Sequence, residues 1–384
     1  MQNIELLFQF NKGKELYKDI ERRLIFNKKN ITFEYKLNIP DGLFCGNQIY
    51  EILSVINYVS YKYRGQKIPI VLNCGTIEFY DKLVFVFLEC ICYYMLEVRR
   101  QKIVVIFRAN HTIWSEGIIF SPLVAPDLAE FKKKFEGDLQ GRHYRKIIAA
   151  TAKNSGADLS ELMQDIDLFL RNNGVSEKNS EELAEVLAEL VGNSREHAYS
   201  DTLIDIDLTE TTYKKEFDET NNYYGMNTAI INFSPILFYQ PLKIKIESGV
   251  ELPSNYEYVK LAYEHHKTYF NKEYEECDFY SISSFQDKIS GSMKKKMGGR
   301  GLTTLVKSLE EQADTHLCYM LSGNTIIFLM KELLNFDDNN FVGFNKVSNY
   351  LSDIPDKKTI GKISTYLPGT SYNLSFVVRK EWSL

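Results

Sequence analysis

Three polar side chains on one predicted helix have the residue types and the spacing for nucleotide chemistry. Glu189, Asn193 and His197 stand at positions i, i+4 and i+8, so they share one face of a helix. The amide oxygen of Asn193 can ligate Mg²⁺, a hard cation that takes few protein ligands. One turn away, the carboxylate of Glu189 can orient or deprotonate a water or a hydroxyl group beside a phosphate. This face therefore indicates a magnesium–nucleotide site, and an exposed polar helix face is the alternative.

The helix that carries these residues is predicted to run from about Ser180 to Tyr199. Ser180 is the predicted N-cap, and the two glutamates after it suit the positive end of the helix dipole. A separate stripe of apolar side chains at helical spacing predicts the face that packs on a core: Leu183, Val186, Leu187, Leu190 and Val191. For His197, an interior histidine with satisfied hydrogen bonds and a cation at the helix C-terminus are the other interpretations.

A glycine-rich segment downstream leads into another predicted helix, at 302–311. The segment reads Gly298-Gly299-Arg300-Gly301-Leu302-Thr303-Thr304. Glycines let a backbone approach phosphates closely, and a helix N-terminus supplies free N–H groups. The segment therefore predicts phosphate contacts, with an ordinary loop and helix start as the alternative. Three lysines precede it at 294–296; one of them could reach a phosphate, although adjacent lysines are more often simply solvated.

In this order and on these elements, the motifs resemble those of the Bergerat-fold (GHKL) ATPases, which include gyrase, sensor histidine kinases and anti-sigma-factor serine kinases. The sequence ELVGNSREHA at 189–198 is similar to the family's N-box. The resemblance implies that Asn193 ligates Mg²⁺, that Glu189 is the catalytic base and that His197 lies near the nucleotide. It also implies that the glycine-rich segment and its lysines form a mobile ATP lid. The likeness spans roughly residues 181–378.

The same resemblance implies two positions for adenine recognition. Gly369-Thr370 precedes the last predicted strand, at 372–378, and the family commonly has Gly-Thr there, with the threonine helping to recognise adenine. The family's first glycine box, Asp-x-Gly-x-Gly, is replaced here by Asn232-Phe233-Ser234-Pro235. Asn232 would be an uncharged acceptor for the adenine amino group, weaker than the aspartate. We therefore expect a degenerate or differently tuned pocket.

The N-terminal segment predicts a small α/β unit of its own. Residues 68–74 (IPIVLNC) form a compact apolar run typical of a buried strand, 81–100 read as an apolar helix, and 102–108 resume strand composition. This spacing predicts two parallel strands joined by a right-handed crossover. The arrangement resembles a STAS-type domain.

The predicted fold class is α+β. The charged segment at 125–135, which contains Pro126, is the predicted boundary between a STAS-like domain at 1–125 and a Bergerat-type α/β sandwich at 126–384, with a mixed sheet covered by helices. Within the second domain, 317–329 is predicted as a hairpin turned at Ser322-Gly323-Asn324.

Strand 203–208 (LIDIDL) alternates apolar and acidic residues, which is typical of a strand with one wet face. Its Asp205 and Asp207 share one face of the strand. We expect them to be exposed to solvent rather than to hold a metal ion.

Composition excludes several classes of protein. A net charge of −5 gives no general attraction to nucleic acid. The six cysteines lie mostly in apolar runs, which indicates free, buried thiols rather than disulfides or a zinc site. The N-terminus lacks the apolar run of a signal peptide, and the longest apolar stretch is too short to span a bilayer. We therefore expect a cytoplasmic protein with no membrane partner.

Together with the resemblance, these features predict an ATPase that binds ATP and Mg²⁺ and works as a nucleotide-dependent regulatory switch, of a signalling or phage-defence type. A serine/threonine protein kinase of the anti-sigma-factor type and a degenerate, non-catalytic interaction scaffold are the alternatives. A protein partner is expected at the N-terminal domain or at the ATP lid. Because many members of the family dimerise, a homodimer is a further expectation.

Overall fold

A computed structural model gives the fold. It describes residues 1–110, 118–120, 123, 125, 127–150, 155–215, 218–286, 288–289, 305 and 317–381. Helices and strands are intermixed along the chain and build a mixed and an antiparallel sheet, so the predicted α+β class is confirmed.

The first sheet is five-stranded and mixed. This part of the chain contains α1 (Glu5–Phe10), α2 (Tyr17–Arg23), β1 (Ile25–Asn27), β2 (Thr32–Lys36), β3 (Leu43–Phe44), α3 (Gly46–Lys62), β4 (Ile70–Phe79), α4 (Lys82–Tyr93) and β5 (Ile103–Ala109). The long strand β4 pairs in parallel with β2, β3 and β5, whereas β1 and β2 are antiparallel. The predicted parallel pairing of the two strands that flank the apolar helix is therefore confirmed.

The second sheet is seven-stranded. Its part of the chain contains α5 (Leu128–Glu136), β6 (Gly137–Gln140), β7 (His143–Ile148), α6 (Ser155–Asn172), α7 (Glu177–Ala198), β8 (Thr202–Leu208), β9 (Tyr213–Lys215), β10 (Asp218–Phe233), α8 (Gln240–Glu247), α9 (Ser254–His266), α10 (Glu276–Ser283), β11 (Tyr319–Phe328) and β12 (Ile360–Lys380). The strand order is β11-β12-β10-β8-β7-β6, with β9 beside β10. Every pairing described in this sheet is antiparallel, so the mixed sheet is the N-terminal one.

The two sheets and their helices stack in layers. Helices α3 and α4 lie between the first sheet and one face of the second, where α4 contacts β4, β10 and β12. This position explains why every residue of α4 is buried, since a helix covered on all sides has no polar face. Helices α6 and α7 cover the other face of the second sheet and pack against each other.

One hydrophobic core crosses the predicted boundary at residue 125. It joins side chains of α3 and α4 to side chains of β10, β11 and β12, among them Ile231, Phe233 and Leu321. A second core lies between the other sheet face and the pair α6–α7. A smaller, aromatic core surrounds α8, α9 and α10, with Tyr256, Phe279 and Tyr350 at its centre.

Two local predictions were wrong. Strand β11 runs unbroken from Tyr319 to Phe328, and Gly323 (φ +62°) marks an irregularity in its pairing with β12 rather than a hairpin turn. Helix α7 begins at Glu177, one residue after Ser176, whose hydroxyl accepts from the Asn179 N–H at 3.3 Å. Ser180 is therefore not the N-cap; it is buried inside the first turns and donates to Asp167 at 2.6 Å.

Candidate functional site

Helix α7 positions the candidate chemistry through three neighbouring stripes. Its sheet-facing stripe includes Leu187 and Leu190, both fully buried. The next stripe faces α6: a Cβ on Gly192 would lie 3.0 Å from the Leu159 Cδ1 atom. Gly192 therefore permits close packing of two helices, and nothing places it toward a ligand.

Glu189 and Asn193 lie on the third stripe, beyond the one that α6 covers. At 100° per residue, Asn193 is rotated by about 100° and Glu189 by about 60° from Gly192, in the same sense. Both side chains are partly exposed. Helix α6 packs over β7, whereas α7 packs over β8, β10 and β12, so this stripe faces the β10–β12 side of the sheet. His197 continues the stripe; its backbone belongs to α7, and its side chain lies outside what the structure describes.

Beneath α7, three polar residues lie side by side across the sheet. Asn232 on β10 is paired with Thr370 on β12 and with Thr202 on β8. We call these three residues the polar row. Their even-numbered neighbours Ile204, Ile230 and Tyr372 belong to the core under α7, and because side chains alternate along a strand, the polar row faces α7 as well.

The polar row also lies at the end of the sheet where α7 terminates. The Ser234 hydroxyl donates to the carbonyl of Ala198, the last residue of α7, at 2.9 Å, and the Ser200 hydroxyl donates to the Phe233 carbonyl. Asn193 is five residues before Ala198, about 7.5 Å along the helix axis. The structure therefore brings Asn193, Asn232 and Thr370 to one end of the molecule's second sheet.

Gly369 allows β10 and β12 to approach closely beside the polar row. Its φ is +106°, a backbone conformation that residues other than glycine rarely adopt. A Cβ there would lie 2.5 Å from the Asn232 carbonyl oxygen and 2.6 Å from the Asn232 Oδ1 atom. The sequence predicted Gly369-Thr370 just before the last strand, but both residues lie inside β12.

The polar row contains buried groups that lack partners. Asn232 and Thr202 are fully buried, and neither the Asn232 Nδ2 atom nor the Thr202 Oγ1 atom has a hydrogen-bond partner among the described residues. The Asn232 Oδ1 atom accepts from the Thr370 N–H at 3.3 Å. The oxygen that we expected to accept from adenine is thus already engaged, and the group left over is a donor.

The glycine-rich segment cannot be placed against this site. Gly298, Gly299, Gly301, Leu302 and Thr303 lie outside the described residues, as do the lysines at 294–296. Their role at the phosphates and the lid they would form stay predictions.

A buried ionic cluster on the opposite face of the sheet escaped sequence reasoning. Asp205 and Asp207, expected to be exposed, are fully buried. The ammonium of Lys82, on α4, lies 2.6 Å from Asp205 Oδ1 and pairs with Asp207 as well. The expectation failed because the strand's second face is covered by α4 and not by water. Lys82 and Glu89, the two charged residues of the otherwise apolar α4, were the signal in the sequence for a buried ionic cluster.

The cluster continues along β7. His143 Nδ1 lies 2.6 Å from Asp207 Oδ1, and Arg145 pairs with Glu89 and Asp205. Burial raises the pKa of Asp205, but Arg145 and Lys82 outweigh it and hold that pKa below its usual range. Ligand atoms of His143, Asp205 and Asp207 lie close enough together for a metal ion. The Lys82 ammonium already lies between the two carboxylates and Arg145 pairs with Asp205, so the cluster is better described as an ionic tie between α4 and the second sheet.

No helix in the described parts of the chain combines the length and apolarity needed to cross a bilayer. Comparisons with protein-family models, with curated proteins and with solved structures gave no match, so the likenesses to Bergerat-fold ATPases and to STAS domains remain predictions from the motifs.

Proposed function

We propose that this protein binds a magnesium–nucleoside triphosphate, with ATP as the nucleotide that the motifs imply, between the Asn193 stripe of α7 and the polar row. The observation that carries the proposal is the position, at one end of the sheet, of a partly exposed carboxylate–amide pair and of two buried polar groups, the Asn232 Nδ2 and Thr202 Oγ1 atoms, that have no partner among the described residues. Buried donors and acceptors are nearly always satisfied in native proteins, so two neighbouring groups without partners in the described part of the chain favour a ligand.

Each residue has a role that its chemistry allows. The Asn193 amide oxygen is the proposed Mg²⁺ ligand, and the Glu189 carboxylate is the proposed base that activates a water or an acceptor hydroxyl. The polar row would contact the base. By the resemblance, the glycine-rich segment at 298–303 would contact the phosphates, and its response to the nucleotide would make the protein a regulatory switch that exposes or hides a surface for a protein partner.

Calorimetric titration with Mg-ATP and Mg-ITP tests the proposal. We expect binding by the wild-type protein and its loss in Asn193→Ala, because the cation loses its protein ligand. Glu185 is an exposed residue of α7 two turns before Asn193 and about 80° around the helix from it, so Glu185→Ala is the control on the same helix and should bind as the wild type does. If the wild-type protein binds neither nucleotide, the proposed function is wrong and the non-catalytic scaffold remains as the alternative.

Glu189→Gln separates binding from turnover. This variant keeps the size of the side chain but removes the base, so nucleotide binding should persist while phosphate release falls by at least about 100-fold. Label transfer to a co-purified protein, instead of release as inorganic phosphate, would favour the protein-kinase alternative. Unchanged phosphate release in Glu189→Gln would exclude Glu189 as the base.

A further inference from the structure

The orientation of one buried amide indicates which nucleobase the site would take; this inference rests on the proposed function. The Asn232 side chain is fixed by its neighbour, because its Oδ1 atom accepts from the Thr370 N–H. The flipped amide would set two donors against each other. The Nδ2 group, which can only donate, is therefore the part of Asn232 left without a partner among the described residues.

The residue beside Asn232 can donate in the same place. Thr202 lies directly opposite Asn232 on β8, and its buried hydroxyl also lacks a partner within the described part of the chain. Residues paired in this way have Cβ atoms about 5 Å apart, close enough for both groups to reach one ligand atom. A carbonyl oxygen has two lone pairs and can accept from both donors at once.

We propose that Thr202 and Asn232 recognise a carbonyl oxygen on the base, so that the site prefers a 6-oxopurine nucleoside triphosphate to ATP. The 6-amino group of adenine is a donor and would face the Asn232 Nδ2 group donor to donor. The 6-oxo group of hypoxanthine or guanine satisfies Nδ2 and the Thr202 hydroxyl together. Asn232 is then the residue that determines base specificity, through its amide hydrogen rather than its oxygen.

ITP and ATP provide the sharpest comparison, because their bases differ only at position 6 and in the N1 proton. Calorimetry on the full-length protein with Mg²⁺ should give a dissociation constant for ITP at least about fivefold below that for ATP, the smallest ratio expected when a buried donor is left facing a donor. Asn232→Asp replaces the free donor with an acceptor while keeping an oxygen for the Thr370 N–H. It should reverse the order, so that ATP binds more tightly than ITP.

Two threonine variants complete the test. Thr202→Val should reduce the ITP preference, since one of the two donors is gone. Thr228→Val is its matched control. Thr228, on β10, is also buried, and its hydroxyl likewise lacks a partner among the residues that the structure describes. It lies four residues from Asn232, about 13 Å along the strand, so its replacement should leave the ratio unchanged.

The outcomes distinguish this inference from the proposed function. Equal affinities, or tighter binding of ATP by the wild-type protein, would overturn the base preference while leaving nucleotide binding intact. An ITP preference that persists in Asn232→Asp would overturn the role of Asn232. If neither nucleotide binds, the proposed function fails and the base preference fails with it.

Discussion

At the scale of single residues, the site depends on a few backbone and side-chain positions that other residue types could not fill. The Asn232 amide oxygen accepts from the Thr370 N–H of the neighbouring strand, and its amide nitrogen is a donor without a partner in the described part of the chain. That arrangement exists only because β12 comes unusually close at Gly369. Replacing Gly369 should therefore change both the stability of the fold and the geometry of the polar row.

Gly369→Ala should lower the free energy of unfolding by about 3 kcal/mol or more, since it combines left-handed backbone strain with overlap against the Asn232 backbone. Chemical denaturation measures the loss. Gly65→Ala is the matched control, because Gly65 also has a positive φ (+78°) but nothing within 4 Å of the added methyl group; it should cost about 1 kcal/mol. Equal losses in the two variants would show that the close approach at Gly369 contributes nothing.

At the scale of elements, the sequence predicted what local pattern determines and missed what distant neighbours determine. The apolar stripe predicted α7 to within three residues at its start, and the apolar runs predicted the parallel pair β4–β5. The alternation of LIDIDL is the same whether water or a helix covers the acidic face, and the covering Lys82 is 123 residues before Asp205 in the chain. Likewise Ser-Gly-Asn suits a hairpin turn and a strand irregularity equally well.

The candidate site was predictable only in part, for the same reason. The spacing of Glu189 and Asn193 on one helix face is a local property and could be read from the sequence. The pairing of Asn232 with Thr370 joins residues 138 positions apart and was available only through the order of the motifs. The direction of the free amide donor depends on a backbone N–H of another strand, and no pattern in the sequence indicated it.

The N-cap of α4 makes the pH dependence of stability testable. Asp81 is buried, accepts from the Val84 N–H at 2.9 Å and from the Tyr319 hydroxyl at 2.5 Å, and burial raises its pKa to about 6. The unfolded chain has the ordinary aspartate pKa of about 3.9. Between these values the folded state holds the proton and the unfolded state does not. The stabilisation is therefore complete below about pH 4 and is lost as the pH rises through 6.

Asp81→Asn should remove this pH dependence, because asparagine caps a helix as well as aspartate and cannot ionise. Urea denaturation should show that the free energy of unfolding of the variant, relative to that of the wild type, increases by about 3 kcal/mol between pH 4 and pH 7. Tyr319→Phe should move the wild-type transition to higher pH, since it removes a hydrogen bond that favours the carboxylate. Parallel stability curves for wild type and Asp81→Asn would contradict the assignment.

At the scale of the whole molecule, the N-terminal helices α3 and α4 pack against the second sheet and share a hydrophobic core with it. Helix α4 supplies the apolar cover of one sheet face and, through Lys82, the positive charge between two buried carboxylates. The opposite face carries α7 and the polar row. The two faces of one sheet therefore have separate tasks: one holds the chain together, and the other carries the candidate chemistry.

Lys82→Met tests this division of tasks. Methionine fills a similar volume but leaves Asp205 and Asp207 buried with less compensating charge, which should lower the free energy of unfolding by about 3–5 kcal/mol. The double variant Lys82→Met/Asp207→Asn should recover part of the loss, because one uncompensated carboxylate is gone. Lys62→Met, which breaks an exposed pair with Glu21, should change little. Where Lys82→Met remains folded, it should bind the nucleotide as the wild type does. A Lys82→Met protein of wild-type stability would show that the ionic cluster does not tie α4 to the sheet.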